Sequence, residues 1–297
     1  MYHSDPKAYS SLVNKMQDDT FVIRETEHNN VLINMVNRAV MANKHIIKNF
    51  VKGSVVLDIA CGEGYNTCYL ATEGYFVKGF DISENAIIEA KKLAADLGLP
   101  NDNTIFTVND HSFLEAIEDE SVDIVCALGL MRFLESDVID VIYKEVFRIL
   151  KPGGSFIVSN ENVLFDIFAS NDTTLKFWAG LMEDFSDVGR LFPEGSILKA
   201  MQEKITVPQR NFHPKRISYH NKRHVENPLT YDNTMKAYGF MLDSIVYPDC
   251  HIIPPYLLPD VDPVEVEKIR GEVCLIRAEG DWRSMFLGFE FLAFLKK

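Results

Sequence analysis

From Ser54 onward the chain alternates between short apolar, β-branched runs and longer segments of helical periodicity. Residues 54–59 (SVVLDI), 75–80 (YFVKGF), 104–108, 122–128 (VDIVCAL) and 155–159 (SFIVS) read as buried strands. Helices are predicted over 65–72, over 84–97 with Ser83 as N-cap and Gly98 and Pro100 as the stop, and over 137–150. The last of these ends at Lys151-Pro152-Gly153-Gly154. Upstream, residues 8–50 read as helical, with Leu32, Ile33, Val36, Val40 and Ile46 forming an apolar stripe. Five strands alternating with helices imply a parallel sheet joined by right-handed crossovers.

The pattern changes after residue 159. Residues 160–230 are irregular, partly helical, and rich in aromatic and basic side chains. Residues 241–247 and 284–295 read as two more strands, with little between them resembling a crossover helix apart from 263–270. An antiparallel closing pair at the sheet edge follows from that. The reading divides the chain into an N-terminal helical segment (1–52), an α/β core (53–159), an inserted cap (160–235) and C-terminal strands completing the sheet (236–297).

Composition narrows the function classes. At 47% hydrophobic residues the chain can bury a large core. Its longest apolar stretch, 285–295, is interrupted by Glu290 and is too short to span a bilayer, and the first ten residues carry no apolar signal-peptide region. The five cysteines (Cys61, Cys68, Cys126, Cys250, Cys274) are odd in number and none has CxxC spacing, which fits reduced thiols in a cytoplasm and no metal site. A net charge of −13 argues against a DNA partner.

The strongest local signal is Val56-Leu57-Asp58-Ile59-Ala60-Cys61-Gly62-Glu63-Gly64, which closes the first strand and opens a helix. Glycines there let the backbone turn sharply and approach a ligand with no Cβ in the way. Asp81 closes the second strand, where a carboxylate can accept both hydroxyl hydrogens of a ribose. Asn109-Asp110 closes the third, within reach of a nucleobase amino group. All these groups gather at the carboxyl ends of parallel strands, where open α/β sheets bind ligands.

Together with the Leu150-Lys151-Pro152-Gly153-Gly154 element, these motifs resemble the class I S-adenosylmethionine-dependent methyltransferases over about residues 50–159. The resemblance implies a Rossmann-like, seven-stranded, mostly parallel sheet with an antiparallel last strand, and S-adenosyl-L-methionine as cofactor. It implies that Gly62 and Gly64 line the methionine and ribose portion, with Ala60 in the same turn. Asp58 would lie near the methionine amino group and Asp81 would hold the ribose diol, with Ile82 beside it. Asp110 would meet the adenine amino group between Asn109 and His111, and the backbone at Leu128 and Gly129 would meet the amino-acid end. A nicotinamide dehydrogenase fits less well: the dinucleotide fingerprint GxGxxG has Thr67 at its sixth position here.

The acceptor is less legible. Many small-molecule members carry a histidine pair after the fourth strand, where this chain has Met131-Arg132. Arg132 stays protonated and cannot be a base, but it can grip a carboxylate or phosphate. Residues 199–224 hold seven basic residues against one acidic residue, together with His213 and His220. His111 and His220 are the candidate bases. These features predict methylation of oxygen or nitrogen on a small or medium-sized, anionic acceptor by a monomer or homodimer. Two alternatives remain: a protein or RNA methyltransferase docking through 199–224, and a non-catalytic S-adenosylmethionine-binding protein.

Overall fold

The computed structural model describes residues 30–99, 104–165, 199, 224–248 and 284–297. The elements run α1 (Asn30–Asn49), β1 (Val55–Ile59), α2 (Tyr65–Thr72), β2 (Phe76–Asp81), α3 (Glu84–Asp96), β3 (Thr104–Val108), β4 (Val122–Ala127), α4 (Ser136–Ile149), β5 (Leu150–Asn162), β6 (Val225–Glu226), α5 (Tyr231–Lys236), β7 (Met241–Val246), α6 (Ser284–Leu287) and β8 (Glu290–Lys296). Two 3₁₀ turns, His111–Ala116 and Met131–Phe133, follow β3 and β4.

The sheet order is β3-β2-β1-β4-β5-β8-β7, with the short β6 alongside β5. Strands β1 to β5 are parallel, and β8 runs antiparallel to both β5 and β7. This is the mostly parallel, Rossmann-like sheet with a reversed C-terminal strand that the sequence predicts.

Burial on both faces explains why the strands read as nearly continuous apolar runs. On one face α1 packs Val40, Ala42 and Ile46 against Val56, Ile124, Cys126, Ile157, Leu292 and Phe294. On the other, Ile139, Ile142, Tyr143 and Val146 of α4 pack with Tyr231 and Met235 of α5 against Leu57, Val125, Phe156, Val158 and Phe291. Helix α1 runs down the sheet from its carboxyl-end edge. Arg38 reaches Glu290 at the start of β8, and His45 stacks on Phe294 with ring centroids 4.1 Å apart.

Two strands differ from the sequence reading by more than one residue at an end. Residues 284–287 form one helical turn, so the last strand starts only at Glu290. Strand β5 is longer than 155–159 at both ends. It begins at Leu150, with a register shift against β4, because Gly153 takes a left-handed φ of +80° and a Cβ on Gly154 would lie 2.9 Å from two backbone carbonyls. It continues to Asn162 because Ser159, Asn160, Glu161 and Asn162 are all buried despite being polar. Most of the predicted cap lies outside the described residues, as do His220 and residues 200–223 of the basic segment.

Candidate functional site

The turn after β1 is a backbone cradle. Ala60, Gly62 and Gly64 all take positive φ, at +57°, +56° and +76°. The two glycines are needed for different reasons. A Cβ on Gly62 would meet nothing within 4 Å, so this position leaves open space for a ligand. A Cβ on Gly64 would lie 2.8 Å from Ala90 and from the Phe106 ring, so this position lets α2 pack against α3 and β3.

Asp81 ties the cradle to β2. Its Oδ2 accepts from Gly62 N and its Oδ1 from Ser83 N, both at 2.9 Å. Each carboxylate oxygen keeps a second lone pair for a ligand hydroxyl. Ile82, next in sequence, is 76% exposed, and Val108 at the end of β3 is also exposed. They present an apolar surface beside that carboxylate. Asp110 caps the 3₁₀ turn that follows β3, its Oδ1 accepting from Ser112 N and Oγ, and these hydrogen bonds hold its carboxyl below the usual range. Asn109 N donates to Asp81 O at 3.0 Å, which brings the ends of β2 and β3 together, and the half-buried His111 follows Asp110.

Asp58 is placed differently from these rim residues. It is buried within β1, and its Oδ2 accepts a 2.6 Å hydrogen bond from Thr67 Oγ1. Burial raises its carboxyl to about 6, against the Thr67 and Asn66 interactions that lower it. Thr67, the residue that breaks the dinucleotide fingerprint, is therefore the hydrogen-bond donor to a buried acid. Leu128 is half-buried at the end of β4. Next to it, Gly129 has φ +79° and donates to Ser159 Oγ at 2.7 Å, and a Cβ there would lie 2.9 Å from the Arg38 guanidinium.

A charged layer, not anticipated from the sequence, lies at the exit of β5. Glu161 and Glu290 stand directly opposite in the β5–β8 ladder. Both are buried, and two carboxylates so placed would repel. Each has an arginine from a different element: Arg38 Nη1 lies 2.6 and 2.7 Å from the two Glu290 oxygens, and Arg132 Nη1 lies 3.2 Å from Glu161 Oε1. Arg132 also stacks on Phe133, 4.7 Å from the ring centroid. An anionic ligand at Arg132 would therefore compete with Glu161. The signals for this layer were the polar run Ser159–Asn162 in a strand context and Glu290 inside an apolar stretch.

The rim offers an open glycine cradle, a carboxylate with lone pairs to spare at the end of β2, and an exposed aliphatic surface between β2 and β3, the features a nucleoside would need. The methyltransferase-domain family matches residues 56–154, the stretch that builds this rim. Over these residues the chain is similar to class I S-adenosylmethionine-dependent methyltransferases. The chain is similar to an S-adenosyl-L-methionine-dependent Diels-Alderase of Talaromyces variabilis, 34% identical over 35% of this chain and 35% of that protein. It is also similar to a ubiquinone biosynthesis O-methyltransferase of Pasteurella multocida, 28% identical over 50% of this chain and 59% of that one. The matches thus span about a third to three-fifths of these relatives' lengths. In fold, the methyltransferase domain and its flanking elements resemble magnesium protoporphyrin IX methyltransferase of Synechocystis, solved with bound S-adenosylhomocysteine. That TM-score is 0.51 at 12% identity, covering 99% of this chain and 100% of that one. No helix among the described residues is long and apolar enough to cross a membrane.

Proposed function

We propose that the chain transfers a methyl group from S-adenosylmethionine to oxygen or nitrogen of a small or medium-sized acceptor. The observation that carries the reading is the pairing of Asp81 with the open Gly62 backbone at the ends of β1 and β2. In it, Asp81 accepts the ribose hydroxyls on its remaining lone pairs. Ile82 and Val108 take the flat face of the adenine, and Asp110 Oδ2 accepts from its amino group, with Asn109 and His111 at the ring edge. Ala60, Gly62 and Gly64 shape the backbone around the ribose and methionine chain. Leu128 and Gly129 meet the amino-acid end above the buried Asp58.

The bound cofactor supplies an electrophilic methyl on a sulfonium. The protein's share of the work is to hold the acceptor in line with that methyl and to exclude water. The exit of β5 suits this role, because its buried polar residues lie one strand from Gly129. The basic 199–224 segment offers positive charge to an anionic acceptor, whereas Arg132 would do so only in exchange for Glu161. The similarity to an O-methyltransferase of ubiquinone biosynthesis supports a small acceptor.

A second reading has its own observation: a relative over part of the chain is named for a cycloaddition. In that case the protein holds the cofactor without consuming it. Incubation with methyl-labelled S-adenosylmethionine and a fractionated cell extract separates the readings. Label in small solutes is expected. Label on RNA or protein would defeat the small-acceptor reading, and a cofactor bound without transfer of label would favour the second.

A further inference from the structure

A histidine and a carboxylate meet at the exit of β5. His224 Nε2 lies 2.7 Å from Glu226 Oε1, and the two side chains are 19% and 14% exposed. They are two residues apart around β6, so they share a face of that strand. Strand β6 is held in place by β5, with Val225 beside Glu161 and Glu226 beside Asn162. Two residues earlier, Ser159 binds the Gly129 backbone at the end of β4. The pair therefore belongs to the carboxyl-end edge of the parallel strands, where ligands of such sheets bind.

The pair's chemistry is asymmetric. The contact to Glu226 uses Nε2, and among the described residues Nδ1 makes no hydrogen bond. A carboxylate on one ring nitrogen selects the tautomer with its proton there, leaves the lone pair on the other, and stabilises the imidazolium once formed. The surroundings are rich in hydroxyls. Tyr143 and Tyr231 pair at 3.2 Å in the adjoining core, and burial, with a smaller contribution from the Glu226 charge, pushes both phenols up. A surface ion pair would carry little meaning, but this one is largely buried.

We propose that His224 is the general base of the methyl transfer and Glu226 its positioning residue, and that the acceptor is a hydroxyl compound too weakly acidic to ionise unaided. The inference rests on the methyl-transfer reading. In the step, the acceptor O–H proton passes to His224 Nδ1 as an oxygen electron pair forms the bond to the methyl carbon. The carbon–sulfur bond breaks with its pair returning to sulfur. The products are the methylated oxygen, S-adenosylhomocysteine and an imidazolium paired with Glu226, which then loses its proton to water.

The test uses the full chain. With ¹⁵N-histidine and saturating S-adenosylhomocysteine, long-range ¹H–¹⁵N spectra read the His224 tautomer, assigned by its loss in His224→Gln. A neutral ring protonated at Nε2 at mildly alkaline pH is expected, with the tautomer balance shifting in Glu226→Gln. A ring protonated at Nδ1, or one still doubly protonated there, would overturn the proposal. In parallel, the small-solute fraction of a cell extract is incubated with methyl-labelled S-adenosylmethionine. His224→Gln should slow labelling about 100-fold or more while cofactor affinity stays within about twofold. Glu226→Asp should recover more rate than Glu226→Gln. Equal labelling by wild type and His224→Gln would refute the base alone. Absence of labelling by wild type would refute the methyl-transfer reading, and the base with it.

Discussion

Gly62 and Gly64 look equivalent in the sequence, but the structure gives them opposite roles, and alanine at each should separate stability from binding. Both have left-handed φ, so either substitution strains the backbone by about 1–2 kcal/mol. At Gly62 nothing lies within 4 Å of the new Cβ, and the strain is the whole cost to folding. At Gly64 the methyl would sit 2.8 Å from the Ala90 Cβ and the Phe106 ring. Both neighbours are buried in the α3–β3 cluster and cannot swing aside, so overpacking adds about 1–3 kcal/mol. Gly64→Ala should therefore lose about 2–5 kcal/mol in urea unfolding. Gly62→Ala should lose about 1–2 kcal/mol, yet bind S-adenosylhomocysteine at least about tenfold more weakly because its methyl enters the cradle. Equal destabilisation of the two variants, or normal cofactor affinity in Gly62→Ala, would refute the division of roles.

Other outcomes follow from the buried charges. Asp58 has its carboxyl raised to about 6 from 3.8, so it favours the folded state below the ordinary aspartate range. That contribution, about 3 kcal/mol, is lost as pH rises through 6. The stability of wild type relative to Asp58→Asn should fall over that window in urea titrations, and a pH-independent difference would contradict it. Thr67→Val removes the 2.6 Å donor to that carboxylate and should cost about 1.5–3 kcal/mol at neutral pH, checked in the same titrations. Arg38→Met leaves Glu290 buried without its arginine and should cost about 3–5 kcal/mol, whereas Arg38→Met/Glu290→Leu should recover most of it. A double variant as unstable as the single would show that the pair is not the source.

Much of the sheet was legible because its determinants are local. Strands β1 to β4 are apolar runs bounded by glycine, proline or a capping residue, and Ser83 caps α3 as its position predicts, accepting from Ala86 N. What escaped was set by distant partners. Glu290 is an unfavourable strand residue on its own, and it is tolerated because Arg38, 252 residues away in sequence, reaches it. The polar tail of β5 is stabilised in the same way, with Asn162 Nδ2 donating to the carbonyls of Met285 and Gly288. The His224–Glu226 pair was hidden for a different reason. The strand period of two, which joins His224 to Glu226, becomes relevant only once β6 is known to pair with β5.

S-adenosylmethionine is proposed to bind across the ends of β1, β2 and β3 with Asp81 as the ribose anchor. Calorimetry of the full chain with S-adenosylhomocysteine tests it most directly. Micromolar affinity, about −8 kcal/mol, is expected, with a marked loss in Asp81→Ala measured below its unfolding midpoint, which falls because Gly62 N and Ser83 N lose their acceptor. Absence of heat with either S-adenosyl nucleoside, together with binding of a nicotinamide dinucleotide, would contradict it.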